Sequence, residues 1–197
     1  MAKKLRILAG GDLHGNIDLA RKLSEKAKKN KVDLVVLTGD ITGAQENDGS
    51  VLEPFEKSNQ KVVFIPGNWD TSKEVETLRK KAKCIHNYYV TYSGVAISGI
   101  GNPDWKMELD YSDLDSIKKN FSRMKSKKRI LVSHLHAQGT LAEFSGIPGD
   151  KILRKAVEYF KPDMLISSHI HEGEGLEDTI GKTKVFQVGR NGKIIEI

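Results

Sequence analysis

Short apolar runs recur along this chain, each ending in one to three small residues and then a polar side chain with an oxygen or nitrogen donor. "LRILAGGD" ends at Asp12, "VDLVVLTGD" at Asp40, "KVVFIPGN" at Asn68, "RILVSH" at His134 and "MLISSH" at His169. Several runs are rich in β-branched residues and do not alternate, the pattern of strands buried on both faces. Helical spacing appears between them. Asn16 is placed to cap a segment in which Ile17, Ala20, Leu23 and Ala27 share a face, and "KEVETLRKKA" and "DKILRKAVEYF" have the same period.

Other stretches carry antiparallel signals. "YYVTYSGVAISGIG" predicts a hairpin turning at Ser93-Gly94, and "EGLEDTI", "KTKVFQV" and "KIIEI", separated by Gly-containing turns, predict a meander. The expected fold class is therefore α/β, a four-layer α/β/β/α sandwich of two mixed β-sheets flanked by helices. At 197 residues, with 38% of them apolar, one domain spanning residues 1–197 suffices, and it can bury about 70% of its unfolded surface.

Composition narrows the chemistry. Cys84 is the only cysteine, which excludes an intramolecular disulfide and a thiolate metal cage and leaves His, Asp, Glu and Asn as ligand types. The apolar run after Met1 is too short for a secretory leader, and no stretch approaches the roughly 20 apolar residues of a membrane span. A cytoplasmic location without membrane association is the expectation. The net charge is +6, with lysines gathered in "KAKKNK" (26–31) and "KSKKR" (125–129). Solvated helix ends explain such clusters, and an anion-attracting surface stays open beside that reading.

Open α/β sheets bind ligands at the carboxyl ends of their strands. Asp12, Asp40, Asn68, His134 and His169 all fall there, and all can hold a divalent cation. In order, the segments are "GDLHG" (Asp12, His14), "TGD" (Asp40), "GNWD" (Asn68), "SHLH" (His134) and "SHIHEG" (His169, His171). This series resembles the calcineurin-like metallophosphoesterases, particularly their small single-domain bacterial and archaeal members of phosphodiesterase type. The family pattern is D-x-H, then G-D, then G-N-H followed by an acid, then a lone His after a strand, then G-H-x-H. The resemblance runs from residue 5 to about residue 190.

That resemblance implies a hydrolase with two divalent metal ions. Asp12, His14 and His171 would hold one, Asn68, His134 and His169 the other, and Asp40 would bridge them. Imidazole nitrogens mixed with carboxylate and amide oxygens suit borderline ions, manganese first, with nickel, iron, zinc or cobalt as alternatives. Two divalent ions against two aspartates and a bridging hydroxide leave about one net positive charge to meet a phosphate. The hydroxide is the implied nucleophile, so no side-chain nucleophile is needed. Asp70 and Glu172 sit beside ligands, either to orient imidazoles or as surface acids. His86, with no motif around it, reads as a satisfied core histidine.

The chain departs from the pattern at three places. Trp69 stands where many members have a His that donates a proton or neutralises a monoester dianion; an indole does neither, which implies a preference for phosphodiesters. Trp69 can instead offer a face to a nucleobase, or cover the Asn68 loop. His136, in "HLHAQGT" where relatives have a proline-rich turn, is a candidate proton donor, with a passive position as the alternative. "FQVG" (186–189) replaces an Asn-Pro-Gly turn.

Catalytic roles are thus expected for Asp40, Asn68 and His136, and substrate binding for Trp69 and Asn68. The expected substrate is a small-molecule or nucleotide phosphoester. Two other readings remain open: a non-catalytic or weakly active scaffold on the same fold, like the retromer subunit, and a nuclease like the double-strand-break repair enzymes, for whose extra regions 197 residues leave no room. Loops 45–50, 102–113 and 138–148 are expected to set specificity. Oligomeric state is not encoded in any recognisable feature.

Overall fold

Eleven strands form two sheets in a computed structural model that describes residues 4–43 and 49–197. The first sheet has the order β11-β1-β2-β3-β4, built from β1 (Arg6–Gly10), β2 (Leu34–Leu37), β3 (Val62–Phe64), β4 (Lys83–Cys84) and β11 (Lys193–Glu196). The second has the order β5-β6-β7-β8-β10-β9, from β5 (Tyr88–Tyr92), β6 (Val95–Ile100), β7 (Lys128–Ser133), β8 (Met164–Ser167), β9 (Glu177–Ile180) and β10 (Thr183–Gln187). β1 to β4 are parallel to one another, as are β6, β7, β8 and β10, while β11, β5 and β9 are antiparallel to their neighbours. Both sheets are mixed, as expected.

Side-chain alternation divides the apolar residues into three buried layers. Ile7, Ala9, Leu34 and Val36 from the first sheet meet Ile97, Ile130, Val132 and Ile166 from the second. Their sequence neighbours point the other way. Leu8, Val35 and Leu37 pack under α1 (Ile17–Lys29), α2 (Glu53–Lys57) and α3 (Ser72–Leu78), whereas Ala96, Leu131 and Leu165 pack under α4 (Tyr111–Arg123) and α5 (Lys151–Phe160). A strand with helices on one face and a sheet on the other has no solvated side, which is why its sequence does not alternate.

Helix ends follow their sequence signals. The Asn16 side chain accepts from the backbone N–H of Asp18 and Leu19 at 3.0 and 3.1 Å, and Lys26, Lys28 and Lys29 lie in the last turn of α1, where cations oppose the helix dipole. α4 lies in a stretch where no helix is expected from the apolar spacing, although Asp110 and Asp113 form a reciprocal capping box at its start. No helix among the described residues is long and apolar enough to cross a membrane.

The Ser93-Gly94 hairpin forms as expected, with both residues at positive φ, 47° and 78°, a combination suited to a tight two-residue turn. The expected C-terminal meander is only half present. β9 and β10 pair antiparallel, but β11 leaves for the first sheet and lies antiparallel to β1. The crossing occurs at one peptide step: Val188 N–H donates to Ser167 of the second sheet at 2.7 Å, and Gly189 carbonyl accepts from Gly11 of the first at 3.1 Å. β11 thereby caps the free edge of β1 and sends Ile195 into the layer between the sheets.

The loops after β2 and β3 are joined by a carboxylate. Asp70 is fully buried. Its Oδ1 accepts from the N–H and hydroxyl of Thr42, both at 2.7 Å, and its Oδ2 from Gly67 N–H at 2.8 Å and Ile41 N–H at 3.2 Å. Without Asp70, three buried backbone donors on two loops would have no partner, at about 1–3 kcal/mol each. Asp70→Ala is therefore expected to lower unfolding stability by at least about 3 kcal/mol, and Asp70→Asn, which keeps shape but turns an amide N–H₂ toward N–H donors, by about 1–3 kcal/mol. Urea unfolding of the three proteins checks this; an Asp70→Ala midpoint matching wild type would mean the loops hold without the carboxylate.

Candidate metal centre

All five strand-end residues of the sequence pattern converge where the carboxyl edges of the two sheets meet. β1, β2 and β3 deliver Asp12, Asp40 and Asn68, and β7 and β8 deliver His134 and His169. Backbone hydrogen bonds knit the first two loops: Asp12 N–H to Gly39 carbonyl at 3.0 Å, His14 N–H to Asp40 carbonyl at 2.9 Å and Gly15 N–H to Ile41 carbonyl at 2.9 Å. The second sheet is tied in by Ser168, whose N–H donates to His134 carbonyl and whose hydroxyl donates to Thr38 carbonyl, both at 3.0 Å.

This approach forces unusual backbone conformations. Asp12, His14, Asp40 and His169 have φ of 56°, 46°, 49° and 74°, a left-handed region that costs non-glycine residues of order 1–3 kcal/mol each and persists only when surrounding contacts impose it. Two glycines make the contact sterically feasible. A Cβ on Gly67 would lie 2.1 Å from Asp40 Oδ1, and one on Gly39, at φ 105°, would lie 2.7 Å from both Gly67 N and His134 Nδ1.

Two groups of side chains result that could each hold a metal ion: Asp12, His14 and His171, and Asp40, His134 and His169. Asn68 joins the second, its Oδ1 lying 3.0 Å from His134 Nε2, and His169 Nδ1 is 3.2 Å from the same nitrogen. His134 is fully buried. Its Nδ1 faces Thr38 carbonyl at 3.0 Å and Ser168 Oγ at 3.1 Å, an arrangement that places the proton on Nδ1 and leaves Nε2 as the donor atom. The sequence pattern of ligands is thus assembled in space.

The donor set fits borderline divalent ions. Both carboxylate oxygens of Asp12 are buried and accept no hydrogen bond from the described residues, a costly state unless a cation satisfies them. The nearest imidazole nitrogen to them in an ion pair is His171 Nε2, at 3.6 Å. Asp40 Oδ2 is 3.4 Å from His134 Nε2 and 3.7 Å from His14 Nε2, so it touches both groups. Its other oxygen accepts from Trp69 N–H at 2.9 Å.

The acids shape the histidines. Burial disfavours a charged His134, but its contact with Asp40, the charge of Asp12 and the Thr38 carbonyl push it up to about 9. His169 is lowered to about 4 by burial and by the neighbouring His134. Burial also lowers His14 against the pull of Asp40 and Asp12, whereas the nearby Asp12 carboxylate raises His171. Burial pushes Asp70 up to about 6, with its Thr42 and Gly67 donors pulling back. The anionic field that draws a proton to His134 is the field that would hold a cation, and the two compete.

The other expected residues sort as follows. Asp70 bonds backbone rather than imidazole, Glu172 is exposed, and His86 lies outside the centre, its Nδ1 accepting from Gly101 N–H at 2.9 Å. His136 is buried, with Nε2 3.2 Å from Ile147 carbonyl and Nδ1 lacking a described partner. It lines a cavity of ≈ 580 Å³ together with His169. Trp69 is 41% exposed, its ring edge-to-face with His14 at 5.7 Å. Of the three loops expected to set specificity, Gln45–Asp48 of the first lie outside the described residues.

Two neighbours of the centre carry no motif of their own. Arg190 donates its Nε to the Asp12 carbonyl at 3.0 Å and bears electrostatically on both His14 and His171. Trp105 packs against Trp69, with ring centroids 4.7 Å apart. Arg190 follows "FQVG" at the end of β10, the position after a strand that marks the ligands themselves, and this is the signal that could have found it. Trp105 has none.

Comparison with known proteins agrees with the geometry. No curated protein matches the sequence significantly. Among solved structures, TT1561 of Thermus thermophilus superposes with a TM-score of 0.77 at 14% identity, covering 99% of both chains. A dimetal phosphatase from Danio rerio gives 0.72 at 12% identity, over 95% of this chain and 88% of that one. An archaeal phosphodiesterase gives 0.57 at 15% identity, over 98% and 99%. These likenesses establish the fold. The family model for calcineurin-like phosphoesterases matches residues 5–173, most of the chain, and with the ligand-type residues gathered at the strand ends the protein belongs to that family.

Proposed function

We propose that the protein is a dinuclear metal-dependent phosphoesterase that prefers phosphodiesters. The observation that carries this reading is the position of Asp40 Oδ2, in contact with imidazoles of both ligand groups, beside an Asp12 carboxylate that accepts no hydrogen bond from the described residues. In this reading Asp12, His14 and His171 hold one ion, Asn68, His134 and His169 the other, and Asp40 is shared. Divalent ions bound there, manganese being the first choice, acidify water for attack on phosphorus and polarise the phosphoryl oxygens.

The protein's own groups do the rest. Asp40 is fixed by the Trp69 N–H and cannot swing out of the centre. The Asn68 amide oxygen lies against His134 Nε2. Trp69, where a His would serve monoesters, adds neither a mobile proton nor a positive charge, so the site suits the single charge of a diester. We assign the leaving-group proton to His136, which borders the same cavity as His169.

Three outcomes test this. Purified protein loaded with manganese should contain about two ions per chain by elemental analysis, and Asp40→Asn, lacking the shared carboxylate, less than about one; equal content in both would remove the bridging role. Manganese-loaded protein should cleave bis-p-nitrophenyl phosphate faster than p-nitrophenyl phosphate and lose both activities to a chelator. The reverse order would sink the diester preference. His136→Gln should slow diesters with an alkyl alcohol leaving group by about a hundredfold, the lower range of general acid catalysis. It should change p-nitrophenyl release little, because that anion departs without a proton; equal losses on both substrates would mean that His136 only shapes the cavity.

A further inference from the structure

A continuous row of rings leads from the centre to solvent. His171 and His14 pack with centroids 5.5 Å apart, His14 and Trp69 at 5.7 Å, and Trp69 and Trp105 at 4.7 Å with planes inclined by 60°. The two indoles form an open wedge, 41% and 52% exposed. Large aromatic surfaces left in water beside a catalytic centre have a cost unless something covers them.

The second indole is held there by the backbone. Asp104 and Trp105 have φ of 60° and 63°, two successive residues in the left-handed region and neither a glycine. Three hydrogen bonds impose this conformation. Trp105 N–H donates to Asn68 carbonyl at 2.9 Å, Asp104 N–H donates to Asp70 carbonyl at 3.1 Å, and the Asp104 carboxylate accepts from Ser72 N–H at 2.8 Å. The strained pair is thus pinned to the loop that carries Asn68, so the wedge keeps a fixed position relative to the ligands.

We infer that Trp69 and Trp105 seat the flat ring of one ester arm, making nucleoside phosphodiesters the substrate class. This rests on the phosphoesterase reading. A base stacks on an indole whatever its edge pattern, and the polar side chains flanking Trp105 are already engaged: Asp104 with Ser72, Lys106 with Asp110 and Asp113.

Two p-nitrophenyl diesters with the same leaving group separate stacking from chemistry: thymidine 5′-(p-nitrophenyl phosphate) and methyl p-nitrophenyl phosphate, assayed on manganese-loaded protein. The thymidine ester should have the lower KM by roughly five- to hundredfold, the span of base–aromatic stacking. Trp105→Leu should bring that ratio down by about threefold or more, and Trp105→Phe should hold it within about twofold of wild type, since a phenyl ring also stacks. A wild-type ratio near one, or a ratio unmoved in Trp105→Leu, would overturn the ledge.

A binding readout keeps the two readings apart. Trp69 and Trp105 are the only tryptophans in the sequence, so indole emission reports the wedge alone. Thymidine 5′-monophosphate should quench it and ribose 5-phosphate should not. If neither ester is hydrolysed, the phosphoesterase reading falls, while selective quenching still upholds the ledge; absence of selective quenching overturns the ledge even where both esters are cleaved.

Discussion

Two loops from neighbouring strands touch because one buried carboxylate accepts their inward-facing N–H groups. Asp70 satisfies Gly67 on its own loop and Ile41 and Thr42 on the next, and it does so at zero exposure. A carboxylate without such donors could not stay there, and the donors could not be buried without it. The placement of Asp40 and Asn68 follows from that contact. Asp40 sits directly before the donors, Asn68 directly after Gly67, and the left-handed turn at Asp40 is what presents its side chain to both ligand groups.

The second sheet is registered onto the first by different bonds. His134 and Ser168 both reach the Thr38 carbonyl, so a single acceptor at the end of β2 locates the ends of β7 and β8. The strand crossing at Val188–Gly189 adds a covalent tie near the same edge. The inter-sheet apolar layer supplies the bulk of the cohesion, but it is tolerant of small slides between surfaces of Ile and Val. The carbonyl contact is not tolerant, because an imidazole displaced by about an ångström loses its hydrogen bond and its aim.

The candidate ligands are legible because five of the seven are announced locally, by an apolar run, a small residue and a donor, and because these five come in family order. The four-layer fold is legible for the related reason that non-alternating strands need cover on both faces. What escapes depends on pairing partners distant in sequence. Its flanking turns group β11 with β9 and β10, yet the unpaired edge of β1 decides its place. The face of α4, with Ile117, Asn120 and Phe121 buried, is interrupted by polar residues and hides the helix, although its capping box is readable. The 102–113 loop is marked only as a whole, and Trp105 is not singled out within it: its position is set by its own bond to Asn68 and that of Asp104 to Asp70, and nothing in "NPDWKM" records them.

The tryptophan at position 69 shows how this centre separates structure from specificity. What the Asp40 carboxylate requires of residue 69 is its backbone N–H, which donates to one of its oxygens at 2.9 Å, and any residue except proline provides that. The side chain projects outward from a loop already locked by Asp70. The indole packs on His14 and Trp105, but the bond that fixes Asp40 does not depend on it, so a His, with a proton to move, and an indole, with a face to offer, differ chiefly in what they present at the surface. Residue 69 can therefore carry different side chains at the surface while its N–H keeps the Asp40 oxygen in place, because every residue but proline supplies that donor.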